Sequence, residues 1–229
     1  MELEPYTASG LQIRIFRDEL IDERMYLILS GTEAVLVDPH VEEAALPYLE
    51  QAEHLHIFLT HEHYDHISGV NWLRAQKSCR VYASSACAAS MERNPNSTVH
   101  FPLLFLGDPE KYACVKKRLK LPYVCRADVR LPDSGTLKIP PLRWRFWATK
   151  GHSPGGMSFL LEGNCLFPGD TLLGNGMELK SIGADKAAFQ RSIESYRQLG
   201  DDILLFPGHG DICPLSAALT KAERFYPWI

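Results

Sequence analysis

The chain has 229 residues, 45% of them apolar and 23% charged, with a formal net charge of -4. That is ordinary globular usage, with enough apolar side chain to build a core without disulfides. The acidic balance gives no footing for a nucleic-acid partner, and no run approaches the roughly 18 apolar residues of a membrane span.

Residues 1–10 carry acids where an export signal would carry basic residues, so the expectation is a cytoplasmic protein. Six scattered cysteines without a Cys-x-x-Cys pair read as reduced thiols, most of them buried. Residues 11–16 alternate apolar and polar, as a half-buried strand does. Residues 25–30 and 34–37 flank Gly31-Thr32-Glu33 and predict a hairpin, ended by Asp38-Pro39. Helical spacing covers 41–51, and the short apolar run 55–59 predicts a buried strand. Residues 60–66 are expected to be a loop, 67–75 a helix and 80–83 another strand.

Between about 84 and 126 the pattern changes. Pro95, Pro102, Pro109 and Pro122 alternate with a basic cluster at Lys116, Lys117, Arg118 and Lys120, which predicts a partly helical insertion near the active site. Such a cluster is ordinarily a solvated helix face, and its sharper reading is a clamp for an anionic substrate tail. Strands are predicted at 128–131, 137–139, 142–148, 157–161, 165–167 and 203–206, with turns at Asp133-Ser134-Gly135 and Glu162-Gly163-Asn164. Residues 185–199 and 215–225 read as helices. The order suggests two sheet-bearing halves within one domain, 1–229, with no repeat or linker.

The chemistry is concentrated in His61-Glu62-His63-Tyr64-Asp65-His66, directly after the strand at 55–59. Four metal-ligand side chains lie within six residues. His61 and His63, two apart, can point to one side of an extended segment, and Asp65 and His66 then turn to a neighbouring position. Neutral imidazole and carboxylate suit zinc first, and also iron or manganese. Three later strand ends each offer one more ligand type: His152 in Gly151-His152-Ser153-Pro154-Gly155-Gly156, Asp170 in Phe167-Pro168-Gly169-Asp170-Thr171, and His209 in Phe206-Pro207-Gly208-His209-Gly210. Each alone is weak, but together, downstream of residues 61–66, they point to one site.

HxHxDH followed by His, Asp and His resembles the metallo-β-lactamase superfamily over nearly the whole chain, from Asp38 to His209. The resemblance implies an α+β fold, a four-layer αβ/βα sandwich with its site at one edge. It implies two divalent ions, zinc first: His61, His63 and His152 on one, Asp65, His66 and His209 on the other, Asp170 bridging them. Asp38 would support the ligands from behind, although a plain turn former is the equal alternative. A hydroxide shared by the ions would attack a carbonyl or phosphorus centre, with Asp65 as the catalytic residue that orients it.

FPGDTL at 167–172 resembles the glyoxalase II-like hydrolases, which points to a thioester or related acyl small molecule. The chain departs from that pattern at Thr149-Lys150-Gly151-His152, in residues 173–186 and in the insertion. With only residues 211–229 after Gly210, the expectation is a short form without the helical glutathione-gripping domain. A lactonase or other esterase, a mononuclear iron persulfide dioxygenase and a phosphodiesterase use related centres. A β-lactamase is disfavoured by Asp170 and by the absence of an export signal. Lys150, Lys180, Tyr64 and Tyr123 are the candidate substrate contacts, each with solvated surface or packing as the blander alternative.

Overall fold

The computed structural model describes residues 1–8, 10–93, 101–119, 122–174 and 184–228. Seven strands form the first sheet in sequence order: β1 (Glu2–Ala8), β2 (Leu11–Arg17), β3 (Arg24–Ser30), β4 (Glu33–Val37), β5 (His54–Phe58), β6 (Cys79–Ser84) and β7 (Val129–Leu131). Pairing is antiparallel as far as β4 and parallel from β4 to β7. The second sheet runs β13 (Cys213–Pro214), β12 (Leu204–Pro207), β11 (Cys165–Gly169), β10 (Met157–Leu161), β9 (Leu142–Ala148), β8 (Ser134–Ile139).

Alternation along the strands builds the layers, because successive side chains leave opposite faces. In β5, Phe58 enters the core between the sheets, while Leu55 and Ile57 face outward. Outside them lie helices α1 (Leu46–Leu49), α3 (Val70–Gln76) and α4 (Ser85–Arg93), whose Leu49, Val70, Leu73, Cys87 and Met91 share that outer core. In β10, Phe159 and Leu161 face the first sheet, and Leu160 faces helices α6 (Lys186–Arg197) and α7 (Leu215–Phe225). The result is the predicted αβ/βα sandwich.

Three local expectations are corrected. Residues 60–66 are not loop throughout: Tyr64–Ile67 forms a helical turn, α2. The turn rotates Asp65 and His66 away from the direction in which the extended segment points His61 and His63. Ser134 and Gly135 belong to β8 rather than to a turn, paired with Trp147 and Phe146. Glycine fits there because a Cβ would lie 2.7 Å from the Phe146 ring, which occupies that space. Residues 41–51 form a 3-10 turn at Glu43–Ala45 followed by the short α1 rather than one helix. Strand β1 carried no signal of its own in sequence and forms by pairing on β2.

Within the insertion, Phe101–Phe105 is a 3-10 turn and α5 (Pro109–Arg118) a helix capped by the Asp108 carboxylate, which accepts from the Lys111 N–H. Val115 on α5 and Phe101 join Ile21 and Tyr64 in a small apolar cluster. The insertion thus packs on the segments next to Asp65 and His209. All six cysteines are free thiols, with Cys87, Cys125 and Cys165 buried. Among the described residues, no helix is long and apolar enough to cross a membrane.

Candidate metal centre

The ligand-type side chains follow the C-terminal ends of β4, β5, β9, β11 and β12, so they gather at one edge of the sandwich. His61, His63, His152 and Asp170 bring one potential ligand atom each to within 4.8 Å of one another, and Asp65, His66 and His209 do the same beside them. Asp170 faces both groups. Its Oδ1 is 3.5 Å from His66 Nε2, and its Oδ2 is 3.5 Å from His209 Nε2, 3.6 Å from His152 Nε2 and 3.9 Å from His61 Nε2. Asp65 Oδ2 lies 3.2 Å from His209 Nε2 and 3.6 Å from His66 Nε2.

The hydrogen bonds behind the rings fix which nitrogen points inward. Asp38, held in the left-handed region at φ 51°, accepts from the Thr60 N–H at 2.7 Å, from the Thr60 hydroxyl at 2.5 Å and from His66 Nδ1 at 3.0 Å. The Thr60 hydroxyl, having donated to Asp38, accepts from His61 Nδ1 at 3.0 Å. His209 Nδ1 donates to the Ile21 carbonyl at 3.1 Å. With Nδ1 tied in this way, His61, His66 and His209 each turn Nε2 into the site. Asp38 braces both ends of the 60–66 segment and also ends a strand.

The polar atoms turned inward are incompletely partnered. His66 Nε2 and Asp170 Oδ1 are buried without a hydrogen-bond partner. His63 Nδ1 lies 2.9 Å from both His61 Nε2 and His152 Nε2, and a single proton cannot serve all three nitrogens. Burial and the neighbouring His66 and His63 hold His61 well below the ordinary histidine pKa; burial lowers His63 as well. Burial, with His63 beside it, pushes His152 down to about 3. A lowered pKa favours the neutral ring that metal ligation requires.

The other group has the opposite bias. Burial alone would lower His66 and His209, but the carboxylates of Asp170 and Asp65 outweigh it and hold both well above the ordinary value. Burial likewise opposes ionisation of Asp170, yet His209 and His66 keep it far below the usual carboxylate range. This pocket of carboxylates draws positive charge. A donor set of imidazoles and carboxylates with stranded lone pairs fits divalent cations.

Close approach of the strand ends needs glycine at two points. A Cβ on Gly208 would lie 2.2 Å from Asp170 Oδ1 and 2.6 Å from His66 Cε1. At Gly169, φ is +56° and a Cβ would meet Thr60 Oγ1 at 2.2 Å.

The expected substrate contacts fare unevenly. Tyr123 bonds through its hydroxyl to the carbonyls of Ile67 and Ser68 and accepts from the Asn71 N–H, so it ties α2 to α3. Tyr64 is buried against Phe101 and Tyr123. Lys150 is exposed, 3.4 Å from Asp133. Lys180 lies outside the described residues. Arg118 of the basic cluster turns back to Asp18. Sequence reasoning missed Thr60 and Glu62; the signal for Thr60 was only its place between a buried strand and His61.

The signature of the Metallo-beta-lactamase superfamily matches residues 23–209, and the chain belongs to that family. Among its relatives, the hydroxyacylglutathione hydrolase of Tolumonas auensis is 27% identical over 82% of this chain, which spans 61% of that enzyme's length. A probable metallo-hydrolase of Bacillus subtilis, YqgX, is 25% identical over 89% of this chain and 91% of its own. The structure of TTHA1623 in a di-iron-bound form superposes with a TM-score of 0.67 at 25% identity, covering 96% of this chain and 98% of that one.

Proposed function

We propose that this protein is a binuclear metal hydrolase that cleaves a thioester or a related small acyl compound. The observation that carries the binuclear reading is Asp170, whose two oxygens face both ligand groups. His61, His63 and His152 would hold one ion, and Asp65, His66 and His209 the other, with Asp170 shared. When bound, such a pair supplies a water with a pKa near about 7 and polarises the carbonyl under attack. Asp65, beside both groups, would accept a hydrogen bond from the attacking water and aim it. His63 and His209 are the half-buried ligands, so substrate would enter across them. The buried remainder excludes bulk water.

The thioester reading is supported by the FPGDTL segment around Asp170 and by the name of the Tolumonas relative. Zinc suits the donor set first, and the di-iron form of TTHA1623 keeps iron as the second reading for the metal.

The test is metal analysis of the purified protein beside hydrolysis assays with S-lactoylglutathione and simple acyl thioesters. Two equivalents of metal with thioester turnover are expected. Asp170→Asn should lose at least one equivalent and reduce turnover by about 100-fold or more. A single iron with oxygen consumption and no hydrolysis would favour the persulfide dioxygenase. Two metals without thioester turnover would redirect the search to lactones and phosphodiesters.

A further inference from the structure

Glu62 stands between His61 and His63, and its carboxylate does not join the ligand groups found among the described residues. In an extended segment alternate side chains leave opposite sides, so the two histidines face the centre and Glu62 faces away. It is nonetheless buried, 4% exposed. A buried carboxylate requires donors, and both of those described come from one place. The Ser153 hydroxyl donates to Glu62 Oε2 at 3.2 Å, and the Gly155 N–H donates to Oε1 at 3.3 Å. Ser153 and Gly155 belong to the tight turn that carries His152.

That turn is seated from its other side as well. The Gly155 carbonyl accepts from the Ser84 hydroxyl at 2.8 Å, and Ser84 Oγ accepts from the Cys87 N–H at 3.1 Å. A Cβ on Gly155 would lie 2.1 Å from Glu62 Oε2 and 2.8 Å from the Cys87 Cα. Glycine at 155 thus lets the backbone settle between Glu62 and α4. The contacting residues are 91 and 93 apart in sequence and come from segments that follow strands of different sheets. The turn has other anchors, the Met157 N–H donating to the Thr60 carbonyl at 2.8 Å and the Asp185 N–H to the Gly151 carbonyl at 2.8 Å, but among the described contacts Glu62 is the side chain of the 61–66 segment that reaches Ser153 and Gly155.

We infer that Glu62 is a positioning residue: by holding the Ser153 hydroxyl and the Gly155 N–H it helps set His152 against His61 and His63, and so builds the three-histidine group selectively. The inference rests on the metal-centre reading above, and it adds a residue that acts through His152 without touching metal or substrate. It follows that disturbing Glu62 weakens the His61/His63/His152 group more than the Asp65/His66/His209 group, since the latter is oriented by Asp38 and the Ile21 carbonyl.

The experiment compares wild type, Glu62→Ala, Glu62→Gln and the milder Ser153→Ala. Zinc binding is read by competition with a chromophoric chelator, and amide hydrogen exchange is followed in the metal-free proteins. In Glu62→Ala one of the two zinc sites should weaken by about 10- to 100-fold while the other keeps its affinity. The Gly155 amide should exchange faster, with β9 and β10 protection retained. Glu62→Gln keeps an acceptor for Gly155 and a partner for Ser153 and should restore most of both effects; Ser153→Ala should fall between. Unchanged zinc affinities and unchanged Gly155 exchange in Glu62→Ala would overturn the inference, as would an equal loss at both sites. If wild type bound neither zinc nor iron, the proposed function would fall, and the exchange of metal-free protein would still report whether Glu62 holds the turn.

Discussion

Thr60 offers no ligand atom to the centre, yet its hydroxyl links Asp38 to a ring of the site: it donates to Asp38 and accepts from His61. The consequence is a chosen tautomer, with His61 Nε2 left bare toward the site. Thr60→Val keeps the branched shape and removes the relay, so metal affinity should drop about 10- to 100-fold with the fold intact. Chelator competition measures this, and an unaltered affinity would mean that packing alone orients His61. At this scale the sequence showed which side chains could bind metal, because histidine and aspartate announce that chemistry by type. Threonine and glutamate do not. The roles of Thr60 and Glu62 depend on what stands opposite them in space, and those partners are Asp38 and the turn at Ser153–Gly155.

Among the elements, α5 shows how a polar surface helix is fastened beside the site. Val115 enters the cluster with Ile21, Tyr64 and Phe101, and Arg118 grips the Asp18 carboxylate, one of its bonds at 3.1 Å. Burial alone would raise the Asp18 pKa, but the Arg118 hydrogen bond and charge, helped by His40, hold it below the ordinary value. A depressed folded pKa gives stability that is present above the unfolded value of about 3.9 and fades as pH falls through the folded value. Arg118→Ala should therefore lower the thermal midpoint at pH 7, and the gap from wild type should shrink as pH is taken down past 4. A gap independent of pH would assign the docking to Val115 alone. Removing Lys116 and Lys117 as well tests the anionic clamp, which predicts a raised KM for anionic substrates. The basic cluster looked uniform in sequence; contact with Asp18, a hundred residues away, separates Arg118 from its neighbours.

For the molecule as a whole, the core between the sheets is what brings the strand ends into one edge. Phe58 lies at its centre, stacked on Phe159 at 4.8 Å and edge-on to Trp144 and Tyr82. Phe58→Ala should cost about 3–5 kcal/mol, read by denaturant unfolding, and should weaken metal binding too, because Phe58 joins the two sheets that supply the ligands. A loss of metal without loss of stability would contradict this coupling. The centre should in turn support the fold. Chelation is expected to lower the thermal midpoint, since ions at about 1,000 times their Kd stabilise the folded state by about 4 kcal/mol. Restoring zinc should bring the midpoint back, and a midpoint blind to chelator would argue against a filled site.

By itself the sequence determined the architecture and the candidate ligand set. Strand alternation, the turns at Gly31 and Gly163 and the helical period of residues 215–225 are local signals that tertiary packing did not override, and HxHxDH with His152, Asp170 and His209 named the candidate ligands by chemistry and order. Tertiary structure alone decided the rest: that Tyr64–Ile67 winds into a turn, that β1 finds a partner in β2, that Ser134 and Gly135 extend β8 under Phe146, and that Tyr123 spends its hydroxyl on α2 and α3. It also decided which ring nitrogens and carboxylate oxygens face one another around Asp170. The physical reason is the same throughout. Periodicity and residue type are written along the chain, whereas hydrogen-bond partners, close backbone approach at Gly208 and Gly155, and the balance of burial against charge exist only between segments far apart in sequence.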